Sequence, residues 1–405
     1  MMIAILDMFG SSGGVGRCTK EMLRQFETEG VSTTLCGQSH VVDSFRAHHQ
    51  QMPNVHLANL ERPKLSLRSL KIRMARKHRN SDPSRLANVL LQETIRATSA
   101  RNGAVALPVL VNYPQIIAAA TSEASFCLFL HDLNWRLYPG NFDAPDLTDE
   151  NCRGWVKRAA KIITNSECTR DEVIEHYGCA SDKVVAAPLA PFDGGVSNDI
   201  SSSKYLAELG LVAGRFYLFP GVWGLHKGHD VLTDAIEAAP AADPVVVTCG
   251  MPREGISGSL KAVAAMRNSL ASRWDKLIER RKLVVVGGVS EAKMQALRNG
   301  CRAYVVPSLY EGFGFPMVEA VYQFRPAIVS DIKAHQEILN RYPKYQLARR
   351  FLSGSGAALA AELNQGVDES EPMPEGWEKY VEGTWSWKQT VQKILMALTN
   401  KTEVA

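Results

Sequence analysis

The sequence predicts an α/β protein made of two Rossmann-like, doubly wound domains that face a central cleft. Three observations carry this. Short apolar runs alternate with amphipathic stretches of helical period along most of the chain, which is the pattern of parallel βαβ units. The alternation is interrupted at 187–215, a segment holding Pro188, Pro191, Gly194, Gly195 and the polar run Ser197–Ser203, and then restarts. The length of 405 residues also fits two or three domains at roughly 100–200 residues each. The expected boundaries are 1–190 for the first domain and 191–384 for the second.

In the first half, Ile3-Ala4-Ile5-Leu6 reads as a buried strand. After a glycine-rich turn, Val15, Cys18, Met22, Leu23 and Phe26 recur at helical spacing. Further strands are expected at Val31–Cys36, Val105–Val111, Ser125–Leu130, Lys161–Thr164 and Lys183–Ala186. A helix is expected over Ser166–His176, with Ser166 and Thr169 offering N-cap oxygens. In the second half the expected strands are Phe216–Phe219, Pro244–Cys249, Leu283–Val286, Ala303–Val306 and Ala327–Ser330. Helices near 228–239, 258–281, 290–299, 315–323 and 355–365 lie between them. An aromatic, amphipathic helix at Trp385–Leu398 ends the pattern.

Composition removes several function classes. The chain is 45% hydrophobic and 22% charged, as an ordinary globular protein is, and large enough to bury a core without staples. The net charge of +4 does not by itself call for nucleic acid. Eight cysteines show no CxxC spacing, which argues against zinc or dithiol redox sites. The N-terminal segment lacks the basic region of a signal peptide, and no run approaches the length of a membrane span. A reducing cytoplasm with free thiols is expected.

In open parallel sheets ligands bind beyond the carboxyl ends of strands, and four constellations stand there. Gly10-Ser-Ser-Gly-Gly-Val-Gly16 follows the first strand. It fits either a plain tight turn or a backbone approach to a phosphate. The segment LFPGVWGLHKGHDVLTDAI, residues 218–236, places Lys227 at a helix start, where the helix dipole disfavours a cation; that points to an anionic ligand. PSLYEGFGFPMVEA, residues 307–320, sets Glu311 before a helix and Glu319 inside it, beside Gly312 and Gly314. Paired carboxylates accept hydrogen bonds from vicinal hydroxyls, and glycines beside a helix N-terminus expose N–H groups, so the loop suits a sugar joined to a phosphate. Finally, His131-Asp132 follows the strand ending at Leu130.

These segments together resemble the retaining GT-B glycosyltransferases of the large family four, which use nucleotide sugars and include many mannosyltransferases. The resemblance is carried by Glu311-Gly-Phe-Gly-Phe-Pro with Glu319, Lys227-Gly228-His229, Gly13-Gly14-Val15-Gly16, His131-Asp132, and Ile162-Ile-Thr-Asn-Ser-Glu167. It runs in order through most of the chain. It implies the GT-B fold, with Lys227 on the donor diphosphate and Glu319 on the ribose. Glu311 would bind donor-sugar hydroxyls, with backbone N–H groups from Phe313, Gly314 and Phe315. Gly14 would approach the phosphate, and His131 would lie near the donor sugar at the reacting face. Helix 385–405 would return to the first domain.

Two positions depart from the family pattern. An arginine is usual about five residues before the lysine, where this chain has Val222 and Trp223; His226, His229 or Arg325 are the candidate substitutes. A glycine is usual before the proline that follows the second glutamate's helix, where this chain has Phe324-Arg325-Pro326. No DxD loop is present to hold a divalent ion on a diphosphate, so neither metal nor cofactor is expected. The resemblance implies same-face transfer, in which the departing phosphate takes the acceptor proton. The expected donor is GDP-mannose and the expected acceptor a glycan or lipid-linked sugar of surface polysaccharide.

Residues 62–85 hold nine Lys or Arg against one acid, Asp82, so the rest of the chain is net −4. Leu67, Leu70 and Met74 recur at helical spacing, with Arg68, Lys71, Arg73, Arg76 and Lys77 around them. The stretch reads as a basic amphipathic helix: an acceptor-side docking face for anionic membrane on the inner face, a nucleic-acid face, or a solvated helix. The first is favoured, and nucleic acid is not expected as a partner. Competing functions are a GT-B nucleotide-sugar epimerase, a non-catalytic nucleotide-sugar or glycan-binding protein, and a dinucleotide dehydrogenase. The last is disfavoured because no acidic residue closes the second strand to hold a ribose.

Overall fold

The computed structural model describes residues 1–11, 13–49, 52–60, 84–102, 108–121, 123–191, 200–239, 244–250, 261–367 and 372–399. They divide into two compact units. Unit 1 comprises Met1–Leu133, Asp146–Leu189 and the tail from Trp387; unit 2 comprises Asn134–Pro145 and Ala190–Ser386. The short stretch Asn134–Pro145 thus packs with unit 2 although it is embedded in the sequence of unit 1.

Unit 1 is built on strands β1 (Met2–Asp7), β2 (Ser32–Gly37), β3 (Val55–Asn59), β4 (Val109–Asn112), β5 (Cys127–Leu130), β6 (Lys161–Thr164) and β7 (Val184–Ala186). They form one sheet in the order β3-β2-β1-β4-β5-β6-β7, and every pairing is parallel. Unit 2 repeats the plan with β8 (Phe216–Pro220), β9 (Val245–Cys249), β10 (Leu283–Val286), β11 (Ala303–Val306), β12 (Ala327–Ser330) and β13 (Ala348–Phe351). Their order is β10-β9-β8-β11-β12-β13, again parallel throughout. Central strands such as Ala303–Val306 and Ala327–Ser330 are buried at every position, because helices cover both faces of such a sheet. Each sheet reverses its strand order once, at β1/β4 and at β8/β11, and ligands of doubly wound sheets bind at that reversal.

The strands expected at Lys161–Thr164, Leu283–Val286, Ala303–Val306 and Ala327–Ser330 have those bounds. The one expected at Val105–Val111 begins at Val109, with 103–107 outside the described residues. Two strands went unanticipated, and both lie at sheet edges. β3 is only half-buried, and β13 carries Arg349 and Arg350. Edge strands lose the continuous apolar run that marks a central one. The 187–215 segment contains a helix, Ile200–Glu208, hidden in the sequence by its serines. Its Leu206 side chain packs close to Gly300, where an added Cβ would lie 2.5 Å from Leu206 Cδ1.

The final helix, Trp387–Thr399, packs on helix Gly13–Thr28 and on β6 and β7 within unit 1. Thr390 donates to the Pro188 carbonyl at 2.6 Å, and Val391 and Ile394 are fully buried. The eight cysteines are all unbridged. Among the described residues no helix is long and apolar enough to cross a membrane. The basic stretch lies almost wholly outside the described residues: Arg68, Lys71, Arg73, Arg76 and Lys77 all fall within 61–83.

Candidate functional site

The loops leaving β8 and β11, the two strands at the reversal point of unit 2, bring the predicted lysine and first glutamate together. Leu225–Lys227 is a single 3-10 turn ended by Gly228 in the left-handed conformation (φ 69°). A Cβ on Gly228 would sit 2.1 Å from the Pro307 carbonyl oxygen. Only glycine therefore lets the β8 loop lie this close to the loop after β11. Across that approach the Lys227 ammonium meets both Glu311 oxygens at 2.8 Å, and Ser308 Oγ donates to Oε1 at 2.7 Å. Burial alone would raise the Glu311 pKa; the Lys227 charge, His226 and the two hydrogen-bond donors outweigh it and hold the carboxyl below its ordinary value. The helix proper starts at His229, so Lys227 does not sit in its first turn. What offsets the lysine's charge here is Glu311.

Gly314, at φ 97°, caps helix Phe315–Tyr322, with Pro316 in the first turn. Phe313 is buried edge-on against Phe315 (5.2 Å between centroids). His335 packs over Gly314: a Cβ there would lie 3.4 Å from His335 Cδ2. His335 Nδ1 donates to the Ser330 carbonyl at 2.8 Å.

Glu319 lies on the buried side of the same helix and pairs with Arg298 Nη2 at 3.0 Å, their side chains 7% and 4% exposed. Arg298 also reaches Glu291. Sequence reasoning missed Arg298, because one arginine in the last turn of helix Glu291–Gly300 looks like an ordinary dipole partner.

The substitutes expected for the family's second diphosphate cation are each engaged by other groups. His229 is buried, stacked on Trp223 (4.3 Å between centroids, 13° between planes), and burial pushes its pKa down to about 3; it is uncharged near neutral pH. Arg325 donates to the Asn299 carbonyl at 2.7 Å, at the end of the neighbouring helix. His226 is held by Asn141, whose Nδ2 is 2.9 Å from His226 Nδ1 and whose Oδ1 accepts from the Leu225 N–H at 2.8 Å. At the other departure, Phe324 takes the left-handed conformation a glycine usually supplies (φ 50°). Its ring packs edge-on against Trp377 at 4.7 Å, which offsets a backbone cost of roughly 1–2 kcal/mol.

In unit 1, Gly14 is exposed in the first turn of helix Gly13–Thr28, while Gly16 is buried against the loop. A Cβ on Gly16 would strike the Ser11 carbonyl carbon at 2.1 Å, so this glycine is required by the turn itself. His131 follows β5, 6% exposed, with Nε2 2.8 Å from Asn112 Oδ1. Burial pushes its pKa down to about 3. Asp7 and Asn112, the last residues of β1 and β4, join it in one buried network. Both stand at strand carboxyl ends, the rule that singled out His131, and that rule applied to every strand would have found them.

The histidines set a pH dependence. His131 and His229 have folded-state values depressed below the usual 6.5. The unfolded chain therefore takes up protons first, and their contribution is complete above about 6.5 and lost as pH falls. Between pH 6.5 and 5 each should cost about 1.4 kcal/mol per pH unit. The melting temperature should drop steadily from pH 7 to pH 5; a flat profile contradicts the buried, neutral assignment.

Fold and site together define a two-unit protein with the GT-B architecture, whose second unit pairs a lysine with a carboxylate in the loops past two strands and buries a second carboxylate in the helix that follows. Residues 207–382, which lie in unit 2, match the family "Glycosyl transferases group 1". The chain is 23% identical to the O-antigen chain mannosyltransferase RfbU of Salmonella typhimurium over 60% of this chain and 64% of that protein. It is 26% identical to the serotype-specific mannosyltransferase WbdA of Escherichia coli over 45% of this chain and 22% of that one. The matches thus span less than two thirds of these curated relatives. In structure the chain resembles Anabaena HepE in complex with UDP and glucose, with a TM-score of 0.68 at 16% identity over 98% of this chain and 99% of that one. It also resembles WaaG, a glycosyltransferase involved in lipopolysaccharide biosynthesis, with a TM-score of 0.60 at 12% identity over 99% and 100%. At these identities the structural likeness establishes the fold alone.

Proposed function

We propose that the protein is a retaining glycosyltransferase that moves a sugar, mannose from GDP-mannose in the favoured reading, to a glycan or lipid-linked acceptor of surface polysaccharide. One observation carries it: Lys227 and Glu311 are drawn together from the two loops flanking the β8/β11 reversal, with Glu319 on the helix that follows. The mannosyl preference rests on the names of the two curated relatives.

In this reading the diphosphate of the donor takes the Lys227 ammonium, and Glu311, released from it, accepts from donor-sugar hydroxyls. Glu319 keeps one oxygen on Arg298 and turns the other to the ribose. The backbone at Phe313, Gly314 and Phe315 and the exposed turn at Gly14 approach phosphate oxygens. His131 accepts from a sugar hydroxyl. Lys227 and the helix N-terminus stabilise charge on the departing nucleoside diphosphate, a fixed electrostatic contribution of the kind that dominates many enzymes. The leaving phosphate oxygen takes the acceptor proton, with attack on the face it leaves. The nucleotide sugar is a substrate, and the reading calls for no cofactor or metal. The place of work would be the cytoplasm, peripheral to the inner membrane face, with the basic stretch 62–85 as the docking element.

The test is a panel of GDP-, UDP-, ADP- and dTDP-sugars with and without extracted lipid-linked acceptors. Turnover of GDP-mannose that depends on acceptor, with the anomeric configuration kept in the product, is the expected result. Sugar interconversion without acceptor would replace this reading with an epimerase. Binding without turnover would make the protein a non-catalytic receptor.

A further inference from the structure

The carboxyl ends of β1, β4 and β5 in unit 1 are tied by a directed chain of hydrogen bonds. Asp7 is fully buried, and only donors converge on it. Oδ1 accepts from the Phe9 and Gly10 N–H groups, both at 2.8 Å. Oδ2 accepts from Asn112 Nδ2 at 2.7 Å and from Thr19 Oγ1 at 3.2 Å. Burial pushes its pKa up while these four donors oppose the shift. Asn112 Nδ2 is also 3.1 Å from Thr19 Oγ1.

Both amide hydrogens of Asn112 are therefore committed towards Asp7 and Thr19. That fixes which end of the amide is oxygen: Oδ1 faces His131 Nε2 at 2.8 Å. An amide oxygen only accepts, so Nε2 carries the ring proton. With the ring neutral, Nδ1 is left as its acceptor, and it makes no hydrogen bond among the described residues. Phe129 backs the ring at 4.6 Å between centroids. A buried aspartate used only to hold a strand end would not need an amide between it and a histidine; the amide relays polarity, carrying the acceptor at Asp7 through to an acceptor facing His131.

We propose that Asp7 and Asn112 are positioning residues that lock His131 as its Nε2–H tautomer, so that Nδ1 is presented as an acceptor for a hydroxyl of a bound sugar. This rests on the glycosyltransferase reading above.

Asp7→Asn is nearly isosteric and tests the polarity. The introduced amide keeps its oxygen on the two backbone N–H groups and turns its NH₂ to Asn112, whose own amide must flip and donate to His131 Nε2. The ring proton then moves to Nδ1. Histidine ¹⁵N spectra, with the His131 signals assigned from the His131→Ala spectrum, should show Nε2–H in the wild type and Nδ1–H in Asp7→Asn. The kcat/KM for GDP-mannose should fall at least tenfold, while the Kd for GDP, which has no sugar to contact Nδ1, stays within twofold. Adding Asp7→Asn to His131→Ala should cost no further activity. If Asp7→Asn fails to fold, Asn112→Leu removes the lock, and both tautomers should then be populated.

An unchanged tautomer in Asp7→Asn, or Nδ1–H in the wild type, overturns the relay. A switched tautomer with unchanged kcat/KM overturns its link to the sugar. If the wild type turns over no nucleotide sugar at all, the functional reading fails instead, and the ¹⁵N spectra still judge the relay.

Discussion

Lys227→Ala should abolish measurable donor turnover, with a loss on the order of 10²–10³-fold, the usual effect of removing one fixed charge that meets a developing anion. It should also destabilise unit 2. Lys227 contacts both Glu311 oxygens at 2.8 Å, and the two side chains are only 15% and 10% exposed. Without the lysine, Glu311 keeps only the Ser308 hydrogen bond and the neighbouring His226, and breaking a pair this buried costs about 3 kcal/mol. Its depressed pKa stabilises the fold above the unfolded value of about 4.3 and ceases to do so as pH falls through the folded value. In the variant that acid-side loss should shrink. The double variant Lys227→Ala/Glu311→Gln removes the stranded charge and should recover most of the thermal stability with none of the turnover. A double variant that regains turnover contradicts the assignment of Lys227 to the donor.

Glu319→Ala should lower the melting temperature by roughly 6–12 °C, because it strands the buried Arg298 with only the exposed Glu291. The cost is about 3 kcal/mol, at roughly 2–4 °C per kcal/mol in a unit of this size. A fall in activity alone would not separate a ribose ligand from a structural ion pair. The apolar exchange Arg298→Met/Glu319→Leu does, since replacing both members of a buried pair is often neutral for stability. If Glu319 serves the ribose, the exchange variant should be stable, measured by thermal melting, and still fail to bind GDP. Wild-type GDP affinity in a stable exchange variant would make Glu319 purely structural.

The sequence exposes the fold where burial is two-sided. β5 and β11 are four apolar residues each, buried throughout, and β12 is buried throughout with Ser330 as its one polar residue. β3 and β13 were missed because an edge strand shows water one side and mixes His56 or Arg349 into its pattern. At the site, Lys227 and Glu311 stood out because each adjoins a glycine just past a strand, and Glu319 because it follows Glu311 by eight residues in the helix opened by Gly314. Their partners did not. The pairing of Lys227 with Glu311 bridges 84 residues of sequence, and Arg298 meets Glu319 from a different helix; neither contact has a local pattern. His229 misled for the same reason, since it looks solvated in the sequence and is stacked under Trp223 in the fold.

The proposed reaction depends on Lys227, Glu311 and Glu319 forming one nucleotide-sugar site. Calorimetric titration of GDP-mannose into the wild type, Lys227→Ala and the stable Arg298→Met/Glu319→Leu variant tests it most directly. Saturable binding by the wild type, weakened at least tenfold in each variant, is expected. Equal affinity in all three proteins would contradict it.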